Sequence, residues 1–216
     1  MQYGLPHPVA WLSSQPTKLQ VKTMAKSAVL QFWLDKLRVK ASTLSSLQYL
    51  KTEFLGLTKC HPLFRTCSSS PWEVEKATSQ ARILSGRFRV EALTGHWVPW
   101  NKGGLCSLPE CWDTEHSHKG TVAAFLLSCP SLSSTRDAMD TYSRSYITNR
   151  YPHLLPLLQK CMELDPVQFL LDCSTMAPVI SAVQADGDCV LFPLFKISRN
   201  YCHGLYKARV NLLSSD

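Results

Sequence analysis

The most informative stretch of the sequence is ARILSGRFRVEALTGHWVPWNKGGLC, residues 81–106, which places a basic and aromatic segment directly before a group of cysteines and histidines. Thiolates and imidazoles that lie close together are the usual ligands of small structural zinc sites. The candidate metal ligands are Cys106, Cys111, His116, His118 and Cys129. Neither half is specific alone, but together they predict a small metal-stapled element, with zinc as its cofactor, held against nucleic acid.

Cationic and aromatic side chains alternate along this stretch. Arginine and lysine contact phosphates, and flat rings stack on exposed bases. For the two tryptophans, packing inside the core is the alternative, because Trp is largely buried on average. The candidate nucleic-acid-binding residues are Arg82, Arg87, Arg89, His96, Trp97, Trp100 and Lys102.

Composition limits the class of protein. The chain has 216 residues, of which 45% are hydrophobic, so it can bury one sizeable core or two small ones. Its formal net charge of +7 and its isoelectric point near 9.0 favour a polyanionic partner such as RNA or DNA. No window approaches the roughly 18 consecutive apolar residues of a membrane span, and the N-terminus lacks a signal-peptide pattern. We therefore expect an intracellular protein, cytoplasmic or nuclear, without a membrane partner.

The nine cysteines are odd in number and irregularly spaced, which argues against a secreted disulfide framework and for reduced thiols. Four of them lie among apolar residues of predicted helices, where a thiol behaves as a small hydrophobe. We expect Cys161, Cys173, Cys189 and Cys202 to be buried core residues.

A second possible metal group lies in the loop LTKCHPLFRTCSSSPW, which contains Cys60, His61 and Cys67. A purely structural role is the stronger interpretation, because Pro62 pushes His61 into an extended conformation and the loop has no second ligand pair. The prolines and serines of this loop predict a boundary between an N-terminal helical part and the rest.

Residues 1–70 are predicted to form an irregular arm and a basic helical hairpin. Apolar residues recur at three- and four-residue steps between residues 17 and 40, which predicts a helix there. A solvated face explains its many lysines better than a phosphate-binding face, because surface helices need charge for solubility. A second helical piece is expected at residues 43–54.

Residues 71–136 are predicted to combine a basic helix with the Cys/His segment. Pro71, which follows three serines, is a favourable helix start, and Gly86 is a favourable stop. The apolar stripe of this helix is predicted to be Val74, Ala77, Ala81 and Leu84.

Residues 137–216 are predicted to form a C-terminal helical bundle. The fold class is therefore mainly α, with helical bundle pieces around a small irregular zinc-knuckle-like segment. Helices are predicted at residues 131–144, 153–164, 166–171, 176–185 and 190–213. Ser131 or Ser133 is predicted to cap the first of these helices.

The last predicted helix is amphipathic, with a basic outer face. Pro193 is expected to kink it or to mark its true start. Its inward residues are predicted to be Val190, Leu191, Leu194, Phe195, Ile197, Tyr201, Leu205, Val210 and Leu213. Its outward residues are predicted to be Lys196, Arg199, Lys207 and Arg209.

Three runs within residues 71–136 resemble the C-terminal region of reverse transcriptases encoded by non-LTR retrotransposons: ARILSGRFRVEALTGHW, NKGGLC and FLLSCPSLSSTR. The likeness extends less sharply upstream to KSAVLQFWLDKLR and downstream to DPVQFLLDCS. In that family a zinc-binding segment follows the polymerase, with a cysteine pair, a Glu-His within HFLL, then Cys-Pro and a short helix bearing arginine. The resemblance implies that Cys106, Cys111 and Cys129 are zinc ligands.

The fourth ligand is where this chain departs from the family. Ala123 and Ala124 stand where the family has Glu and His. Either His116 or His118 substitutes from the preceding loop, or the site has been lost. The acidic residues of that loop are poorer candidates, because a structural zinc bound by thiolates usually takes nitrogen as its remaining ligand.

The sequence pattern lacks the residues of a catalytic centre. A polymerase needs paired aspartates to hold two metal ions, and the chain contains no Asp-Asp dipeptide. A thiolate and imidazolium pair among the candidate ligands would lack a nucleophile turn and an oxyanion donor. No small-molecule substrate is indicated, and the oligomeric state is left open. We therefore expect a non-catalytic nucleic-acid-binding accessory segment; the alternative is a structural or decayed helical protein with neither a metal nor a nucleic-acid role.

Overall fold

Helices dominate the computed structural model of this chain, which confirms the mainly α prediction. The structure describes residues 4–5, 7–44, 47–50, 61–88, 103–111, 118–183 and 187–214. Within these ranges no β-strand forms, and the only extended pairing is an isolated antiparallel bridge between Leu105 and Lys119. The chain divides into two compact units, Met1–Cys60 and His61–Asp216, which are described separately below.

In the first unit the described residues form two helices, α1 (Pro8–Ser14) and α2 (Lys18–Thr43). Thr17 begins α2 with a reciprocal cap: its hydroxyl accepts from the backbone N–H of Gln20, and its own N–H donates to the Gln20 side chain. The predicted helix at 17–40 is thus confirmed and runs three residues longer, and none of its residues is buried. Most of the second predicted piece, 43–54, lies outside the described residues; residues 47–50 form one turn.

The second unit holds the remaining described helices, several of which begin with a proline in their first turn, where its missing N–H costs no hydrogen bond. They are α3 (Pro62–Arg65), α4 (Pro71–Leu84), α5 (Val122–Leu127), α6 (Ser133–Arg150), α7 (Leu155–Leu164), α8 (Pro166–Leu171), α9 (Ala177–Val183) and α10 (Gly187–Leu213). Short 3-10 turns occur at Pro109–Cys111, Pro130–Leu132, Pro152–Leu154 and Cys173–Met176.

Predicted and observed helix ends differ where no strong local signal exists. Helix α6 continues to Arg150, beyond the predicted end at residue 144, because no proline or glycine interrupts it before Pro152. The predicted serine cap is wrong: no side chain caps α6, which is entered through the Pro130–Leu132 turn. Helix α10 starts at Gly187, so Pro193 lies inside it instead of marking its start.

Helix α10 is the central element of the second unit, and it packs against α4, α6 and α8. Leu194, Phe195 and Leu205 are fully buried in this core. A polar junction joins three of the helices, because the Gln80 side chain of α4 donates to the Leu170 carbonyl of α8 at 2.7 Å and to the Ser198 hydroxyl of α10 at 3.1 Å.

Two residues predicted to face outward from α10 are buried: Arg199 is 1% exposed and Arg209 is 4% exposed. The guanidinium of Arg199 donates to the Leu63 carbonyl and to the hydroxyl and carbonyl of Thr66. Its charge also lies 3.6 Å from the carboxylate of Glu73. Arg199 thus ties the segment around α3 to α10, and its burial is compensated by these acceptors.

Other positions of the predicted faces are also corrected by the structure. On α10, Val210 and Leu213 were expected to face inward and are exposed, because the end of the helix lies beyond the core. On α4, Val74 is exposed, and the buried face runs through Ala77, Gln80 and Leu84 instead.

The predicted burial of the C-terminal cysteines is confirmed for Cys161, Cys173 and Cys202, which are fully buried free thiols. Burial raises the pKa of all three thiols, which keeps them protonated and unreactive. The side chain of Cys189 lies outside the described residues.

Candidate metal centre

Cys106 and His118 are held opposite each other by backbone pairing. The Cys106 N–H donates to the His118 carbonyl at 2.9 Å, and the Gly120 N–H donates to the Gly104 carbonyl at 2.9 Å. Gly104 has φ of +64°, a conformation that is strained for residues with a side chain. The chain can therefore turn just before Cys106. The backbone pairing aligns Cys106 with His118, although the two residues lie on different segments.

Cys111 and Cys129 approach from two other segments. Cys111 ends the Pro109–Cys111 turn, and its N–H donates to the carbonyl of the fully buried Leu108 at 2.9 Å. Cys129 follows α5, and its N–H donates to the Ala124 carbonyl at 2.8 Å. The start of α5 is fixed by the Thr121 hydroxyl, which accepts from the Ala124 N–H at 3.0 Å.

The side chains of these four residues converge. One ligand atom from each of Cys106, Cys111, His118 and Cys129 lies within 4.8 Å of all the others. The Sγ atom of Cys129 is 3.5 Å from that of Cys111 and 3.9 Å from that of Cys106. A tetrahedral zinc with Zn–S bonds of about 2.3 Å separates its sulfurs by about 3.8 Å. The spacing of the thiols therefore matches a tetrahedral metal site.

The electrostatics of the cluster favour a cation. All three cysteines are buried, and none of them forms a disulfide. The hydrogen bond with Cys106 and burial, together with the nearby Cys111, raise the pKa of Cys129 far above its ordinary value. Three thiolates at this distance repel one another, and a bound metal ion removes that penalty. The Ser131 hydroxyl lies 3.4 Å from the Cys111 Sγ, where it can donate to the thiolate and orient it.

The structure brings together four of the five candidate ligands. His118 is the histidine of the cluster, whereas His116 lies outside the described residues. In the part of the chain that the structure describes, no second cluster of metal ligands is found.

His61, from the second possible metal group, has a structural role. Its Nδ1 accepts from the Leu63 N–H at 3.2 Å, and its Nε2 lies 3.3 Å from the buried carboxylate of Asp172. Cys60 lies outside the described residues.

Two of the candidate nucleic-acid-binding residues, Arg82 and Arg87, lie within the described part of the chain, and the others lie outside it. Arg82 and Arg87 are exposed, and the Arg82 guanidinium donates to the Tyr206 hydroxyl at 3.2 Å. The buried Phe88, which follows Arg87 in sequence, packs on Phe125 of α5 with a centroid separation of 4.5 Å. The basic segment is thereby attached to the helix that positions Cys129. Outside the described residues lie Arg89, His96, Trp97, Trp100 and Lys102.

A further group of aromatic and cationic side chains was missed by the sequence analysis. Tyr142, Tyr146 and Arg150 occupy successive turns of α6, and Lys196 of α10 lies beside them. Their i, i+4 spacing is the signal that would have identified this surface, because such residues share one face of a helix.

No protein-family model, curated protein or solved structure matches this chain. None of the helices in the described part of the chain combines the length and the apolar character needed to cross a lipid bilayer. The resemblance to the C-terminal region of non-LTR reverse transcriptases stays a prediction.

Proposed function

We propose that the second unit is a non-catalytic helical module that is stapled by a zinc ion and binds nucleic acid, in the manner of an accessory segment of a retroelement reverse transcriptase. The observation that carries the proposal is the convergence of four ligand atoms from Cys106, Cys111, His118 and Cys129 within 4.8 Å. Three thiolates and one imidazole form a closed tetrahedral ligand set, which is typical of structural zinc sites.

The staple would join segments that have little regular structure of their own. Cys106 and His118 lie on either side of a single bridge, Cys111 lies in a 3-10 turn, and Cys129 follows a helix of six residues. Elements this short rarely hold their conformation without packing or a cross-link. With all four coordination positions taken by protein, the metal has no open position for a substrate.

Nucleic acid is the proposed partner because the chain carries a net charge of +7 and presents exposed arginines beside the metal segment. Arg82 and Arg87 lie near the end of α4, and Phe88 fixes this region onto α5. Phosphate contacts of this kind position a nucleic acid without reading its sequence.

Metal content tests the zinc half of the proposal. We expect about one zinc per purified chain, and a large loss of zinc in a variant with Cys106→Ser and Cys111→Ser. Cys67→Ser is the matched control, because Cys67 is a free thiol outside the cluster and its loss should leave the zinc content unchanged. A native chain without metal, or a double variant that keeps it, would disprove the staple.

Salt-dependent binding tests the nucleic-acid half. We expect Arg82→Ala with Arg87→Ala to weaken binding to RNA and DNA across sequences, and to reduce the slope of log K against log salt by about two. The control is Lys22→Ala with Lys26→Ala on α2, which removes the same charge from two exposed lysines. Equal losses in both variants would mean that only net charge matters and that Arg82 and Arg87 form no site.

A further inference from the structure

Three tyrosine rings form a continuous row on the surface of the second unit. Tyr142 and Tyr146 are stacked, with ring centroids 6.1 Å apart and planes inclined by 16°. Tyr151 extends the row, with its centroid 5.8 Å from that of Tyr146. We call this set, together with Arg150 and Lys196, the tyrosine row.

Two cations from different helices flank the central ring. The Lys196 ammonium of α10 lies 5.2 Å from the Tyr146 centroid, and the Arg150 guanidinium of α6 lies 5.7 Å from it. Both distances are within the range of cation–π attraction. The row therefore combines flat rings and positive charges at fixed positions.

A hydrogen bond orients one end of the row, and its rings are exposed or half-buried. Asn200 of α10 donates to the Tyr142 hydroxyl at 3.0 Å, which fixes the orientation of that ring. Tyr142 is still 40% exposed, and Arg150 is exposed. Burial and the neighbouring Tyr151 raise the pKa of Tyr146 to about 12, so the central ring carries no phenolate charge at neutral pH.

The charge around the row favours an anionic partner. The sequence from residue 141 to residue 162 contains no acidic residue. Glu73 accepts from Lys76 at 2.9 Å and also faces Arg199 and Lys196, whereas Asp140 faces the like-charged Asp137 as well as Arg144 and Arg136. Repulsion of phosphate by Glu73 is therefore reduced.

We infer that the tyrosine row binds single-stranded nucleic acid. The rings offer faces on which unpaired bases can stack, while Arg150 and Lys196 contact the adjacent phosphates. A duplex buries its base faces inside the helix and cannot use the rings in this way. The inference rests on the proposed function for the partner class, and it adds both the contact surface and a preference for single strands.

Fluorescence anisotropy of labelled oligonucleotides tests the inference with the full chain. Single-stranded RNA, single-stranded DNA of the same sequence and the matching duplex are compared at one salt concentration. We expect Tyr142→Leu with Tyr146→Leu to weaken single-strand binding at least about tenfold, because each stacked base contributes strongly. Duplex binding should change by less than about twofold, since it depends on phosphate contacts alone.

Two matched variants separate stacking from charge and folding. Tyr142→Phe with Tyr146→Phe keeps the rings and should retain native affinity, whereas Arg150→Gln with Lys196→Gln should reduce the salt slope by about two. Circular dichroism verifies that each variant keeps its helices, and the charge variants still test the surface if the leucine pair misfolds.

Several outcomes would overturn the inference, and they differ from a failure of the proposed function. If the leucine pair binds single strands like the native chain while the Arg82 and Arg87 variant does not, the tyrosine row is not the binding surface, and the proposed function stands. Equal losses for the leucine and phenylalanine pairs would also exclude stacking. A native chain that dimerises through the row, with unchanged oligonucleotide binding in the leucine pair, would make the row a self-association surface. A native chain that binds no oligonucleotide would overturn both proposals.

Discussion

Chelation of zinc is expected to abolish the cooperative unfolding of the second unit. Structural zinc sites contribute about 10–16 kcal/mol of apparent binding free energy in zinc-finger peptides, which is comparable to the roughly 5–15 kcal/mol that stabilises a whole domain. Even if only part of this binding free energy stabilises the folded state, removal of the metal should lower the melting temperature strongly. Circular dichroism melts with and without EDTA measure the effect.

Cys129→Ser provides the control for chelation. The Cys129 Sγ lies 3.5 Å from that of Cys111 and 3.9 Å from that of Cys106, so its loss should prevent tight metal binding. EDTA should then have no further effect on this variant. Identical melting temperatures for the native chain with and without EDTA would show that no metal supports the fold.

Zinc binding should also depend on pH, because the metal and protons compete for the same sulfur atoms. Zinc binds thiolates, and protons compete with it for the sulfurs. Zinc affinity should therefore fall as the pH is lowered, and an acid-induced loss of the folded segment should be shifted to lower pH by excess zinc.

Loss of the Arg199 guanidinium is expected to be the most damaging single change in the helical core. Arg199→Met removes the donor to the Leu63 and Thr66 carbonyls and to the Thr66 hydroxyl, and it removes one of the cations that face Glu73. Buried acceptors that lose their donor are costly, so we expect the free energy of unfolding to fall by about 3 kcal/mol or more.

Urea denaturation measures this change against a matched cation. Lys207, also on α10, pairs with Glu75 of α4 at 2.7 Å, but both side chains are more than two-fifths exposed. Lys207→Met should therefore reduce the free energy of unfolding much less than Arg199→Met does, because solvent screens an exposed pair. If Arg199→Met lowered the free energy of unfolding no more than Lys207→Met, the buried hydrogen bonds of Arg199 would contribute no measurable stability. The loss of unfolding free energy in Arg199→Lys should lie between those of the two methionine variants, because an ammonium cannot reach all the acceptors at once.

Helix positions were predictable where the signal is local. Thr17 with Gln20, Pro71 after its serines, and Asp165 before Pro166 each mark a helix start through the groups within one turn. The buried faces were less predictable. Arg199 and Arg209 fall on the polar side of a helical projection, but α10 is surrounded by neighbours, so positions that would be solvated on a surface helix are enclosed here.

The metal cluster shows a similar division. The three cysteines could be predicted as members of the cluster from their spacing and from the family resemblance. The histidine does not, because its position depends on the backbone pairing of Cys106 with His118, which is a tertiary contact. Spacing alone cannot report which of two loop histidines lies opposite a cysteine.

The hydrogen bonds around Ala124 define what this position contributes to the cluster. Ala124 contributes to the cluster only through its backbone, since its carbonyl accepts from Cys129 and its N–H donates to Thr121. Every residue except proline offers these two groups. A histidine at position 124 would therefore keep both hydrogen bonds, so the backbone that positions Cys129 does not depend on which side chain position 124 carries.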